Sequence, residues 1–194
     1  MAQRARSTPY AILGMLSIQP MSGYDIRKES ESSIGYFWSE SYGQIYPALR
    51  DLATRGLIKR RAGRRGGNRD RHVYEITDLG LHALQAWRAE PPRPVPVRNE
   101  LLLKLFFGKR GAAEPHEAEW VSRLLADETA ALRKFRAIRR QLQKEQREHP
   151  SLPFWLMTVS YGEHRSRAVV RWCRQTLNAL RALESGAGRK GHAR

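Results

Sequence analysis

Four prolines crowd into six residues at Pro91-Pro92-Arg93-Pro94-Val95-Pro96. Each fixes its own φ, lacks a backbone N–H and restricts the residue before it, so neither a helix nor a strand runs through. The stretch reads as an extended, semi-rigid connector over 91–97. It divides the 194-residue chain into a head, 1–90, and a second domain, 98–184. The small basic run 185–194, SGAGRKGHAR, reads as a disordered end.

The head carries the pattern of three helices, a hairpin and a fourth helix. Pro9 to Ile18 reads as the first helix, with Pro9 in the first turn and Ile12, Leu13 and Leu16 on one side. Gln19-Pro20 stops it. Ser22 is placed to cap a second helix that runs to Glu31. The third spans Ser41 to Arg55, where Ile45, Leu49 and Leu52 form one buried stripe and Gly56 supplies the C-terminal cap. Leu57 to Arg61 and His72 to Ile76 read as two strands joined by a Gly/Arg-rich turn. Thr77 then caps a helix with Leu81, Leu84 and Trp87 at helical spacing.

The second domain reads as all helix. A short segment from Asn99 to Phe107 ends at Gly108. A long helix from Glu114 to Glu148 carries Val121, Leu124, Leu132, Phe135, Ile138 and Leu142 in a near-heptad seam, broken once by Glu128. Pro150 and Pro153 end it. A last helix, Phe154 to Leu183, repeats Tyr161, Val169, Trp172, Thr176 and Leu180 along one face, and Gly162 marks a kink.

Charge enters where a partner is sought. Lys and Arg number 35 against 19 Asp and Glu, a net charge of +16, which calls for an acidic partner. No apolar run approaches the ~20 residues that span a bilayer. The N-terminal MAQRARSTPYAILGMLSIQP competes as a signal peptide, but Tyr10, Gly14 and Ser17 interrupt it and no small-x-small cleavage site follows. Cys173 is the single cysteine, so no internal disulfide forms. The expectation is a cytoplasmic chain with no membrane contact. The six histidines are scattered, and no phosphate loop, nucleophile elbow or zinc-ligand spacing occurs. The chain is expected not to be an enzyme and to hold no metal or cofactor.

Three helices followed by a basic hairpin form a device for duplex DNA. The third helix fits the major groove and the wing reaches the backbone. Ser39, Ser41, Tyr42, Gln44, Tyr46 and Arg50 are the base- and phosphate-reading candidates of that helix. Arg60, Arg61, Arg64, Arg65, Asn68, Arg69 and Arg71 are those of the wing, where Asp70 is the lone acid between Arg55 and Arg71. The competing reading is a solvated charged loop. Phe106, Phe107, Trp155 and Trp172 read as core rather than a ligand box.

The segments TPYAILGMLSIQPMSGYDI, SYGQIYPALRDLATRGLI and HVYEITDLGLHAL, in this order and spacing, resemble the PadR family of transcriptional regulators. VRNELLLKLFFG and the stretch from Trp155 to Trp172 resemble the helical C-terminal domain of its longer members. The resemblance covers roughly 8–184. It implies a winged helix whose C-terminal helices exchange with a partner subunit, a homodimer on a palindromic operator, most often repression, and in some members release by a small aromatic effector. The wing, RRAGRRGGNRDR, departs from the family by its length and basicity. Pairing of two heads also follows from site size, since one head of this length reads only a few base pairs. Leu124, Leu132, Phe135, Tyr161, Val169, Trp172 and Leu180 are the dimerisation candidates; a self-contained bundle within one chain is the alternative for the same seam. The expected fold class is mainly α with a small β-hairpin: a winged helix-turn-helix domain plus a C-terminal helical dimerisation domain. The partners are double-stranded DNA and a second copy, with a small aromatic effector implied by the family. The alternative function is constitutive, nonspecific nucleic-acid binding without effector control. From residue 91 onward 21 basic residues stand against 10 acidic ones, a surplus that reads either as extra nonspecific DNA contact or, the preferred reading, as the Arg-rich habit of a GC-rich genome.

Overall fold

A computed structural model of the chain describes residues 2–35, 37–38, 42–61, 72–92, 94, 98–108 and 115–190. The chain divides into two compact units, Met1–Pro94 and Val95–Arg194. Of the Pro-rich connector, Arg93 and residues 95–97 lie outside the described residues.

In the first unit, α1 (Ala2–Leu16), α2 (Gly23–Glu29) and α3 (Tyr42–Thr54) precede β2 (Ile58–Arg61), β3 (Val73–Ile76) and α4 (Asp78–Ala89). This is the helix–helix–helix–hairpin–helix order expected of a winged helix. The sequence stripes become its core. Ile12, Leu13 and Leu16 of α1, Ile26 of α2, and Ile45, Leu49 and Leu52 of α3 are all buried in one cluster with Leu57, Ile58 and Leu84. Each such side chain contributes about 1.5–3 kcal/mol on burial. Tyr10 of α1 stacks on Trp87 of α4, with ring centroids 4.9 Å apart.

Local chemistry sets the ends. Ser22 caps α2 through a capping box: its Oγ accepts from the Asp25 N–H at 3.2 Å, and its own N–H donates to the Asp25 carboxylate at 3.1 Å. Gly56 closes α3 with φ +69, a left-handed conformation cheap only for glycine. The Gly56 N–H donates to the Ala53 carbonyl at 3.0 Å and the Leu57 N–H to the Leu52 carbonyl at 2.9 Å, the paired bonds of a Schellman cap.

Four features of this unit depart from the sequence expectation. First, α1 begins seven residues before Pro9 and ends before Ile18, so Pro9 lies inside the helix. The proline removes one N–H from the ladder, which the turns on either side carry across. Second, a strand β1, Met21–Ser22, joins the hairpin to give a three-stranded sheet of order β1-β3-β2. Two residues show no period-2 pattern, so nothing in the sequence marked them. Third, α2 stops at Glu29 and a π-helical turn, Ser30–Ile34, follows it. Fourth, Leu81 and Trp87 stay partly exposed while Leu84 alone of that row reaches the core.

The second unit holds α5 (Glu100–Phe106), α6 (Pro115–Glu145) and α7 (Leu152–Lys190). Asn99 caps α5, its Oδ1 accepting from the Leu102 N–H at 3.1 Å. α6 and α7 form an antiparallel hairpin. Val121 of α6 packs with Cys173 and Leu180 of α7, flanked by Leu105, Leu124, Leu125, Val169 and Trp172. α7 starts at Leu152 rather than Phe154, which places Pro153 in a first turn where its missing N–H costs nothing. It runs on to Lys190, so residues 185–190, read as a disordered end, are helical; they extend a helix already nucleated over more than thirty residues, which carries the two glycines Gly186 and Gly188. Residues 191–194 lie outside the described residues.

Two sequence signals in this hairpin have different meanings in three dimensions. Gly162 makes no kink. It is buried in an unbroken α7, and a Cβ there would come within 2.7 Å of the Phe135 ring. The glycine is a seat for that ring. Glu128, the break in the seam, is 7% exposed, and its two oxygens are occupied by Arg165 Nη2 at 2.8 Å and Ser166 Oγ at 2.6 Å. A buried carboxylate is tolerated when paired and hydrogen-bonded in this way. Glu163, also buried, accepts from Arg139 Nε at 3.0 Å and Arg167 Nη2 at 3.0 Å. The Arg139 bond comes first among the causes that hold its carboxyl below the usual carboxylate range, with burial opposing.

Candidate nucleic-acid interface

With Ile45, Leu49 and Leu52 turned inward, helical geometry turns Tyr46 and Arg50 outward, and both are exposed. Gln44 is half-buried. Tyr42 opens the helix. Pro47 belongs to the exposed face too. The Tyr46 ring also packs over the start of α2: a Cβ on Gly23 would lie 2.9 Å from its Cε1. Tyr46 is therefore anchored on one edge and open on the other.

The hairpin pairs Ile58 with Ile76, Lys59 with Glu75, Arg60 with Tyr74 and Arg61 with Val73. Ile58 and Leu57 are in the core, while Lys59, Arg60 and Arg61 are exposed. These cations are not equivalent. Lys59 Nζ sits 2.9 Å from Glu75, a bond that raises the lysine's pKa and lowers the glutamate's. Arg55 is bound to Asp51 at 3.0 Å. The Arg60 guanidinium lies against the His72 ring. Arg50 and Arg61 make no ion pair among the described residues. Ser39, Ser41, Arg64, Arg65, Asn68, Arg69 and Arg71 lie outside the described residues.

Residues 12–86 match the model of the transcriptional regulator PadR-like family, and 97–181 match that of the virulence activator alpha C-terminal domain. Residues 12–86 are thus a PadR-like domain, followed at 97–181 by a domain of the virulence-activator C-terminal type. It is 38% identical over 103 residues to the negative transcriptional regulator PadR of Bacillus subtilis, a match that spans 57% of that relative. A second match, to a Mycobacterium tuberculosis transcriptional regulator, is 38% identical over 95 residues and spans 50% of it. The matched sequence thus covers about half the length of these curated relatives. In structure the likeness is wider. The Bacillus subtilis PadR–operator DNA complex is similar over 90% of this chain and 97% of that one, with TM-score 0.76 and 27% identity. The same regulator with p-coumaric acid gives TM-score 0.69 at 27% identity, over 91% and 96% of the two chains. The Vibrio cholerae virulence activator AphA gives 0.72 at 28% identity, over 91% and 99%. Apart from residues 8–11, the recognised segments of the sequence fall within the two matched ranges. The winged-helix head and helical second unit are the shared architecture of this PadR-like chain and its neighbours.

The dimerisation candidates divide. Phe135 is 3% exposed on Gly162, and Leu180, 8% exposed, lies in the Val121 cluster. Leu124, Val169 and Trp172 pack against that cluster, and Leu132 is half-buried. Phe135 and Leu180 therefore close within one chain, where α6 and α7 fold back on each other, while Leu124, Leu132, Val169 and Trp172 stay half-buried. Tyr161 alone of the set is widely exposed, at 68%. Phe106 and Phe107, read as core, are 80% and 70% exposed, since the short α5 turns only Leu105 onto the hairpin cluster. Two exposed apolar patches result, of which the sequence reading names only Phe106, Phe107 and Tyr161, and only Tyr161 as a dimerisation residue. One is Leu102, Leu103, Phe106 and Phe107 at α5; the other is Phe154, Met157 and Tyr161 at the start of α7.

Proposed function

We propose that this PadR-like chain is a sequence-specific, operator-binding transcriptional regulator that acts as a homodimer, most simply a repressor. The observation that carries the reading is the outward face of α3, with Tyr46 and Arg50, beside a wing strand presenting Arg60 and Arg61, in a fold similar along its length to a PadR–operator complex. Helix side chains of this kind address base edges, and wing arginines address phosphates. The wing residues Arg64, Arg65, Asn68, Arg69 and Arg71, with Ser39, Ser41, Tyr42 and Gln44, complete the proposed contact set.

The two exposed apolar patches support the dimer. α5 is tied to the start of α6, with Lys104 Nζ 5.0 Å from the Trp120 ring centroid, whereas Phe154, Met157 and Tyr161 stand at the other end of the hairpin. An α6 of 31 residues separates the two by about 45 Å. Two copies related by a two-fold axis and run antiparallel bring the α5 patch of each onto the α7 patch of the other, an isologous contact that covers all four. A palindromic operator then mirrors the protein's symmetry. Release by a small aromatic acid follows the neighbour with p-coumaric acid. No described helix is long and apolar enough to cross a membrane.

Selection of duplexes from a random pool by the full chain tests the reading. The expected product is one preferred site with two inverted half-sites, bound by a particle of dimer mass. Uniform affinity for all duplexes, with a salt slope as the only determinant, would instead establish the nonspecific binder.

A further inference from the structure

Besides the helical bond that its carbonyl accepts from the Leu81 N–H, Thr77 makes three bonds at the point where the third helix, the wing and α4 meet. Its N–H donates to the Leu57 carbonyl at 3.1 Å. Its hydroxyl donates to the Gly56 carbonyl at 2.7 Å and accepts from the Gly80 N–H at 3.1 Å. Gly56 and Leu57 are the two residues that close the Schellman cap of α3. Gly80 lets the first turn of α4 lie directly on them, since a Cβ there would stand 2.1 Å from the Leu57 carbonyl oxygen and 2.8 Å from Ile76 Cγ1. The next residue, Ile58, begins the wing and pairs with Ile76, the residue before Thr77. One residue thus bolts the parts together: its hydroxyl ties the end of the groove-facing helix to the helix that leads into the connector, and its backbone N–H holds the base of the wing.

We propose that Thr77, with Gly80 beneath it, is a positioning residue for sequence reading: it sets the angle of α3 against the wing, so that Tyr46 and Arg50 meet base edges while the wing meets phosphates. This rests on the operator-binding reading above. A threonine that only capped α4 would need an acceptor alone. The bond to the Gly56 carbonyl needs a donor as well, and a hydroxyl is both. Nonspecific binding, which depends on charge rather than register, is indifferent to the angle. Specific binding is not.

The test separates the two roles of the hydroxyl. Thr77→Ser keeps donor and acceptor. Thr77→Asp keeps the cap for the Gly80 N–H, with a carboxylate that suits a helix N-terminus, but cannot donate to Gly56 and faces its carbonyl with a second acceptor. The probes are the duplex selected by the wild-type full chain and a scrambled duplex of equal length and composition. Affinities are measured by fluorescence anisotropy, and melting midpoints by circular dichroism. The expected result is an unchanged specific-to-scrambled ratio for Thr77→Ser. For Thr77→Asp the ratio falls about fivefold or more, the size of one lost hydrogen bond, with scrambled-duplex affinity and midpoint near wild type. Should the aspartate variant melt far below wild type, Thr77→Val, which has the shape without the hydroxyl, is read by the same ratio. A ratio that holds in the Asp or Val variant while wild type discriminates overturns the positioning role and leaves the function standing. A wild-type chain that selects no duplex overturns both.

Discussion

Replacing Gly162 by alanine sets two opposed effects against each other inside α7. Alanine is the better helix former by about 1 kcal/mol, so on a solvent-facing turn the change would stabilise. At this position the new methyl would stand 2.7 Å from Cε1 and Cζ of Phe135 and 3.0 Å from Cε2. Carbon atoms pack comfortably at about 3.5–4.0 Å, so ring and helix must separate by close to 1 Å. Phe135 is 3% exposed and has no solvent to swing into. Overpacking of this kind costs about 1–3 kcal/mol, which offsets the propensity gain and leaves a net loss of up to about 2 kcal/mol. Urea unfolding followed by far-ultraviolet circular dichroism measures it. Phe135→Ala alone is expected to cost about 3–5 kcal/mol by removing a buried ring. In that background the methyl enters vacated space, and Gly162→Ala becomes neutral or stabilising by up to about 1 kcal/mol. The coupling between the two sites is then about 1–3 kcal/mol. A Gly162→Ala variant that unfolds at higher urea than wild type, or that has the same effect in both backgrounds, refutes the packing of Phe135 on this glycine.

Glu163→Gln removes a buried carboxylate from Arg139 and Arg167, whose side chains are 30% and 44% exposed; solvent screening keeps the expected loss near 1 kcal/mol at neutral pH. Because the folded pKa of Glu163 is lowered, its stabilisation is full above the unfolded carboxylate value of 4.5 and is lost as pH falls through the lower folded value, so the variant's acid-side stability curve is flatter and a parallel curve contradicts the pairing. Cys173 is fully buried, and burial together with the nearby Glu128 pushes its thiol pKa up, so labelling by an aromatic disulfide at pH 8 waits on opening of the hairpin. Stoichiometric labelling of the native chain within seconds would show the site to be open. Arg50→Ala is expected to weaken binding to the selected duplex by about 1–3 kcal/mol with an unchanged melting midpoint, read by anisotropy; equal affinity removes it from the contact set. Met157→Asp with Tyr161→Asp places charge on the exposed start of α7, and light scattering is expected to give a monomer; a dimer mass moves the interface elsewhere.

Much of the first unit was legible because its signals are local. Ile45, Leu49 and Leu52 recur at helical spacing, and all three are buried. Gly56, Thr77 and Ser22 declare helix ends by their own backbone and side-chain chemistry, and each does so in the structure. What escaped depends on distant residues. A two-residue strand at Met21–Ser22 exists only because Val73 and Tyr74 lie beside it. Thr77 was legible as a cap, yet its hydroxyl bond to the Gly56 carbonyl spans 21 positions in sequence. The outward face of α3 was legible in part: the period that buries Ile45 also exposes Arg50, but nothing local lays the Tyr46 ring over Gly23.

The second unit exposes a deeper ambiguity of pattern. A near-heptad seam states that a helix has an apolar partner, and it is silent on whether that partner lies in the same chain. Two details of the sequence decide the matter once their partners are known. Glu128 interrupts the seam at the level of Arg165 and Ser166, and Phe135 stands at the level of Gly162. A carboxylate, its two donors, a large ring and the absence of a side chain are complementary pairs only for α6 against α7 run antiparallel. The hairpin is thus specified by its polar and empty positions more than by its leucines. That closure leaves the short α5 and the first turns of α7 with uncovered aromatic residues at opposite ends. The same fold-back that closes Phe135 and Leu180 inside one chain therefore leaves bare the two patches onto which the proposed two-fold partner would pack.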